Sequence, residues 1–126
     1  MVFRCSVRAR YDAALYIPGA GGGSSRTHGH GYTVEAVLEA DELDRTGFVV
    51  DFEVLQPELT RIAAELDHRL LNDLEPFSGA SPSAERQALY FYTRLTDAVG
   101  SLFEGRVRLA RIRITQEPDA WVEYEP

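Results

Sequence analysis

The chain has 126 residues, a formal charge of -7, 44% hydrophobic residues and a single cysteine. That length suits one domain, residues 1–126, which buries enough surface to fold without a disulfide or a structural metal. The acidic balance disfavours a nucleic-acid or anionic-membrane surface. No apolar run is long enough to span a bilayer, and the N-terminus lacks the pattern of an export signal. Cys5 has no internal partner for a disulfide, so a cytoplasmic protein is expected.

In chain order, Val2 to Tyr11 alternates apolar Phe3, Cys5, Val7, Ala9 and Tyr11 with Arg4, Ser6, Arg8 and Arg10, the period of a half-buried strand. Cys5 on the apolar side reads as a small buried hydrophobe. The glycine- and serine-rich run from Pro18 to Ser25 interrupts regular structure. A second strand is expected from about His28 to Ala40, with His28, His30, Tyr32, Val34, Ala36 and Leu38 on one face. Asp41 to Gly47 reads as a turn into an antiparallel partner strand at Phe48–Asp51, making a long hairpin.

Asp51 is placed to cap a helix carrying Phe52, Leu55, Leu59, Ile62 and Leu66 at helical spacing, with Pro57 in its first turns. Ser81-Pro82-Ser83-Ala84-Glu85 carries helix-start chemistry. The helix it opens is expected to reach Val99, burying Ala88, Leu89, Tyr92, Leu95 and Val99, with Gly100 as its C-terminal cap. Val107, Leu109, Ile112 and Ile114 define a further strand whose phase changes between Leu109 and Ala110, which predicts a bulge. Arg106, Arg108, Arg111 and Arg113 along it read as a solvated or acid-paired row. After a turn at Pro118-Asp119, Ala120 to Glu125 forms a last short strand.

Two short stretches carry chemistry. On an extended strand His28 and His30 share a face about 7 Å apart, where two neutral imidazoles supply half of a tetrahedral metal shell. The same spacing also fits a polar loop entering a strand. Asp67-His68 sets a carboxylate beside an imidazole, but neighbours on a helix do not face each other, so Asp67 orients His68 only if the chain leaves the helix there.

Taken in order, His28-Gly29-His30-x-Tyr32, Gly47-x-Val49-x-Asp51-Phe52, Leu66-Asp67-His68-x-x-Leu71-Asn72, Pro82-Ser83-x-Glu85 and Gln116-Glu117 resemble the 6-pyruvoyl-tetrahydropterin synthase and 6-carboxy-tetrahydropterin synthase family. The resemblance implies an α+β tunnelling fold: an antiparallel four-stranded sheet with two helices on one face. It also implies that subunits close into a β-barrel as a trimer or hexamer, with sites between subunits. The implied function is a lyase acting on a pterin. Asp67 and His68 would handle protons, Glu117 would grip the guanidine-like edge of the heterocycle, and Ser83 and Glu85 would line its pocket.

By the same resemblance, zinc would be held by three histidines, two of them His28 and His30. Leu15 stands where the third is expected, and Ser24 or Ser25 stands where the family has a catalytic cysteine. A carboxylate such as Asp12 or Glu35, or one from a neighbouring subunit, would then have to complete a zinc shell. The alternative is a metal-free pocket in which His28, His30 and His68 act as acids, bases or donors. Two further readings stay open: a relative recruited to another dehydration, isomerisation or cyclisation, and a non-catalytic pterin-binding oligomer.

Overall fold

The computed structural model describes residues 1–126. Five strands form one sheet: β1 (Phe3–Leu15), β2 (His28–Ala40), β3 (Arg69–Leu70), β4 (Arg108–Gln116) and β5 (Ala120–Tyr124). Their order across the sheet is β3-β1-β2-β4-β5. The pairs β1–β2, β2–β4 and β4–β5 are antiparallel. The two-residue β3 adds a parallel edge to β1, so the sheet has five strands where four were expected.

One face of the sheet is apolar because side chains alternate. Val7, Tyr11, Ala13 and Leu15 of β1, Tyr32, Val34, Ala36 and Leu38 of β2, and Leu109, Ile112 and Ile114 of β4 are all buried there. Helices α1 (Phe52–Ala64) and α2 (Ala84–Phe103) cover this face. Leu55, Leu59 and Ile62 of α1 and Ala88, Phe91, Leu95 and Val99 of α2 join the same core. Each such large side chain contributes about 1.5–3 kcal/mol relative to leaving it in water. The opposite face is polar and ion-paired. Arg4 and Arg108 meet Glu39, Arg8 meets Glu35, and Arg111 and Arg113 meet Glu123. Arg106 instead donates to the backbone carbonyls of Glu42 and Val49.

The bulge lies where the phase change demands it. Val37 pairs with Arg111 and Leu38 with Leu109, which leaves Ala110 as the extra residue. Asp51 caps α1 by accepting from the Glu53 N–H, and Ser83 caps α2 by accepting from the Arg86 N–H.

Three expectations need correction. Phe48–Asp51 is not a strand. β2 is already paired on both edges, by β1 and β4, so a hairpin partner has no free hydrogen-bonding edge to join. The segment is instead turned by Asp44, whose Oδ1 accepts from the N–H groups of Thr46 and Phe48. Val49 and Val50 are apolar because they enter the core.

Helix α2 also runs through Gly100 to Phe103 and ends at Glu104, φ 53°, and Gly105, φ 77°. Phe103 packs against the core, and that contact outweighs the roughly 1 kcal/mol that glycine costs inside a helix. Leu89, expected inside, is exposed, and Gln87 is buried in its place. Gln87 tolerates burial because its Oε1 accepts from the Tyr11 hydroxyl at 2.6 Å and its Nε2 donates to the Pro82 carbonyl at 2.9 Å.

This arrangement predicts unequal costs along α2. Phe91→Ala should destabilise the chain by about 3–5 kcal/mol in urea unfolding, whereas Leu89→Ala should cost less than about 1 kcal/mol. Equal losses would mean that the helix faces the sheet differently.

Candidate active site

His28 opens β2, and alternation carries its ring and that of His30 to the helix-covered face. The ring centroids are 5.0 Å apart and nearly perpendicular. The His28 Nδ1 lies 2.6 Å from the Arg26 carbonyl oxygen. A carbonyl only accepts, so Nδ1 carries a proton here, and in the neutral ring Nε2 is then the acceptor. Burial, then the neighbouring His28, pushes the His30 pKa below the ordinary imidazole value.

Both rings border a cavity of about 230 Å³ together with Ser24, Ser83, Glu85 and Gln116. The glycine-rich loop folds back through a short 3-10 turn, Gly22–Ser25, pinned by the Ile17 N–H donating to the Ser24 carbonyl at 2.8 Å. Ser83 and Glu85 reach the cavity because they cap and open α2. Four of the residues singled out from sequence, His28, His30, Ser83 and Glu85, are therefore neighbours.

Asp67 and His68 lie elsewhere. The chain leaves helical geometry after α1, and His68 takes a left-handed conformation, φ 56°. Histidine is among the few non-glycine residues that visit this region with any frequency. The His68 N–H donates to the Asp12 carbonyl at 2.6 Å, and the Asp12 N–H donates to Asp67 Oδ1 at 2.9 Å. These bonds dock the pair against β1. The turn lets neighbouring side chains meet, with His68 Nδ1 2.9 Å from Asp67 Oδ2.

The Asp67 hydrogen bond, then its charge, raises the His68 pKa. The Asp12 N–H, then His68, lowers that of Asp67. His68 borders a second, more open cavity of about 480 Å³ with Asp12, Gly31 and Arg69, and His30 lines this one too.

Glu117, just beyond β4, donates its N–H to the Gly31 carbonyl at 3.0 Å. Its carboxylate turns to the polar face and lines neither cavity. There it accepts two bonds from Arg10, at 2.9 and 2.8 Å, and one from the Thr33 hydroxyl at 2.8 Å. Arg10, chiefly, and then Thr33 hold its pKa below the usual carboxylate value. Within one chain the candidate residues thus divide about β2, with the paired imidazoles on one side and the Asp67–His68 pair and Glu117 on the other.

The donor set does not supply a three-histidine zinc shell. Leu15 pairs directly with His28 across the β1–β2 ladder and is buried beside it. Asp12 and Glu35 alternate to the polar face and cannot join the imidazoles from within the chain. Among all His, Cys, Asp and Glu residues, one set of three brings its donor atoms within 4.8 Å of one another, namely Asp12, Asp67 and His68. The hydrogen bonds already described account for that cluster without an ion.

A model of the family described as 6-pyruvoyl tetrahydropterin synthase matches residues 4–126. The chain belongs to that family. A 6-carboxy-5,6,7,8-tetrahydropterin synthase of Bacillus subtilis is 34% identical over 120 residues, which is 91% of this chain and 80% of the relative. A dihydroneopterin monophosphate aldolase of Pyrococcus furiosus is 30% identical over 98 residues, 78% of this chain and 77% of its own length. The structure of Caenorhabditis elegans 6-pyruvoyl tetrahydropterin synthase matches with a TM-score of 0.84 at 23% identity, covering 100% of this chain and 96% of that one. The fold is accordingly the tunnelling fold of the family. No helix is long and apolar enough to cross a membrane.

Arg10, Thr33 and Gly31 were not singled out from sequence as site residues. Arg10 is simply one of several arginines alternating along β1, and only the register shows which carboxylate it meets.

Two outcomes follow. In an NMR titration His68 should show a higher imidazole pKa than His30, and Asp67→Asn should lower it. The raised His68 value stabilises the folded chain below the ordinary imidazole pKa, and this contribution fades as pH rises through the raised value. The lowered Asp67 value acts in the other direction, contributing above the ordinary carboxylate pKa and fading as pH falls through the lowered one. For the imidazole pair, Leu15→His should tighten zinc binding by at least about tenfold in competition with a chromophoric chelator, because it adds a third ligand opposite His28.

Proposed function

We propose that this chain is a lyase that breaks a carbon–carbon or carbon–oxygen bond in the side chain of a pterin. The observation that carries this reading is the Asp67–His68 pair, docked on β1, with His68 lining a cavity that His30 also borders. Membership of a family whose relatives include tetrahydropterin synthases and a dihydroneopterin monophosphate aldolase supports it. In the trimer or hexamer that this reading implies, facing subunits complete the cavities.

Glu117 is the anchor in this scheme. An ionised carboxylate accepts in parallel from the 2-amino group and the ring N–H of a pterin, and such charge-assisted bonds are the strong ones. His68 supplies proton transfer. In a retro-aldol cleavage a base removes a side-chain hydroxyl proton, and the adjacent carbon–carbon bond breaks to give an aldehyde. The released electron pair enters the conjugated ring C=N, and a proton returns. An imidazole can take up a proton in one step and return it in the next, and Asp67 holds the ring and stabilises its protonated form. His28 and His30, with Ser24 beside them, act as hydrogen-bonding partners of the substrate.

A second reading, recruitment of the same pocket to another heterocycle, is favoured by Leu15 and Ser24 standing where the family resemblance called for a zinc ligand and a base. Both readings predict that 7,8-dihydroneopterin triphosphate is converted to a 6-pyruvoyl product very slowly or not at all.

The lyase reading further predicts release of a side-chain aldehyde from dihydroneopterin or one of its phosphates. His68→Ala should lower kcat about 10²- to 10⁴-fold with little change in KM. Glu117→Gln should weaken pterin binding roughly ten- to a hundredfold, as loss of a charged hydrogen-bond partner does. Unaltered binding by Glu117→Gln would overturn the anchor assignment.

A further inference from the structure

In this structure the Glu117 carboxylate already holds a guanidinium. Arg10 Nε donates to Oε1 at 2.9 Å and Arg10 Nη2 donates to Oε2 at 2.8 Å, two parallel bonds from nitrogens on a single carbon. The amino and ring N–H groups of a pterin form the same fork: two N–H donors on nitrogens bonded to a single carbon. Oε1 also accepts from Thr33, and Arg10 and Thr33 face each other across the β1–β2 ladder. One carboxylate offers one in-plane position where two parallel donors meet both oxygens at once, and Arg10 fills it.

We infer that Arg10 is an internal competitor for the pterin-binding position on Glu117, so that a heterocycle binds only by displacing its guanidinium. This inference rests on the assignment of Glu117 as the anchor. Gly31 makes the arrangement possible: a Cβ there would lie 2.9 Å from Arg10 Nη2 and 3.2 Å from Glu117 Oε2. The absence of a side chain at position 31 therefore leaves the slot in which the arginine tip lies.

Displacement is within reach of a small ligand. The Arg10 side chain is 58% exposed and that of Glu117 37%, and exposed ion pairs of this kind are weak and sensitive to salt. The departing guanidinium is rehydrated without leaving a buried charge behind. A ligand with the same fork recovers both bonds that it breaks. One that cannot present two parallel donors recovers at most one, so Arg10 adds selectivity for guanidine-like edges at some cost in affinity.

The test is a titration of neopterin, followed by its fluorescence, onto the protein and four variants at low and high potassium chloride. Arg10→Met, which keeps an aliphatic stem without the fork, should bind about two- to fivefold more tightly than the parent at low salt. Arg10→Lys, with charge but no parallel donors, should fall between them. Arg8→Ala removes a neighbouring arginine on the same face, one that pairs with Glu35, and should match the parent. High salt should narrow the gap between the parent and Arg10→Met by loosening the ion pair.

Equal or weaker binding by Arg10→Met, while Glu117→Gln still weakens binding about tenfold or more, overturns the role of Arg10 and leaves the anchor standing. Equal tightening by Arg8→Ala overturns it as well, because the effect would then be one of general charge. If no form binds neopterin, or if Glu117→Gln binds like the parent, the anchor assignment fails and this inference fails with it.

Discussion

The ladder between β1 and β2 is the constraint on which the site depends. It runs without interruption from Phe3 opposite Ala40 to Leu15 opposite His28. Along it Leu15 meets the first imidazole, Asp12 meets Gly31, and Arg10 meets Thr33. The side-chain period of a strand is two, so a slip of one residue would exchange the two faces and carry the imidazoles to the ion-paired side. The apolar residues that α1 and α2 cover hold the register in place, and the chemistry at the end of the ladder follows from packing along its length.

The two faces give their polar groups different electrostatic surroundings. On the helix side, partial burial favours the neutral form of His30, suited to accepting a proton or a hydrogen bond. On the open side, direct partners set the titration. Asp67 raises the His68 pKa, and Arg10 with Thr33 lowers that of Glu117. One strand thus separates the His28–His30 pair from the Asp67–His68 pair, and His30 borders the cavities on both sides. A substrate that uses both sets has to reach around the end of β2, or be met there by groups of a facing subunit.

Much of the scaffold was legible in the residues themselves. Alternation along β1 and β2, the Asp51 and Ser83 caps and the phase change beside Ala110 are local patterns with local causes, and each has its counterpart in the structure. The misreadings arose where a distant partner decided. Phe48–Asp51 has the composition of a strand, yet β4 had taken the edge it would have joined. Leu89, expected inside, is exposed while Gln87 is buried, because Tyr11 and the Pro82 carbonyl satisfy the buried amide. Gly100 has the composition of a helix stop, yet the packing of Phe103 carries the helix past it.

The sequence alone determined that His28 and His30 share one face of a strand, because that follows from a period of two, and that Asp67 and His68 are neighbours. Only the tertiary structure decided that the two side chains touch, because a left-handed turn at His68 and two hydrogen bonds with Asp12 were needed to point them at each other. It alone decided that Glu117 faces Arg10. That contact joins residues from different strands, and its geometry is set by a register that no local pattern contains.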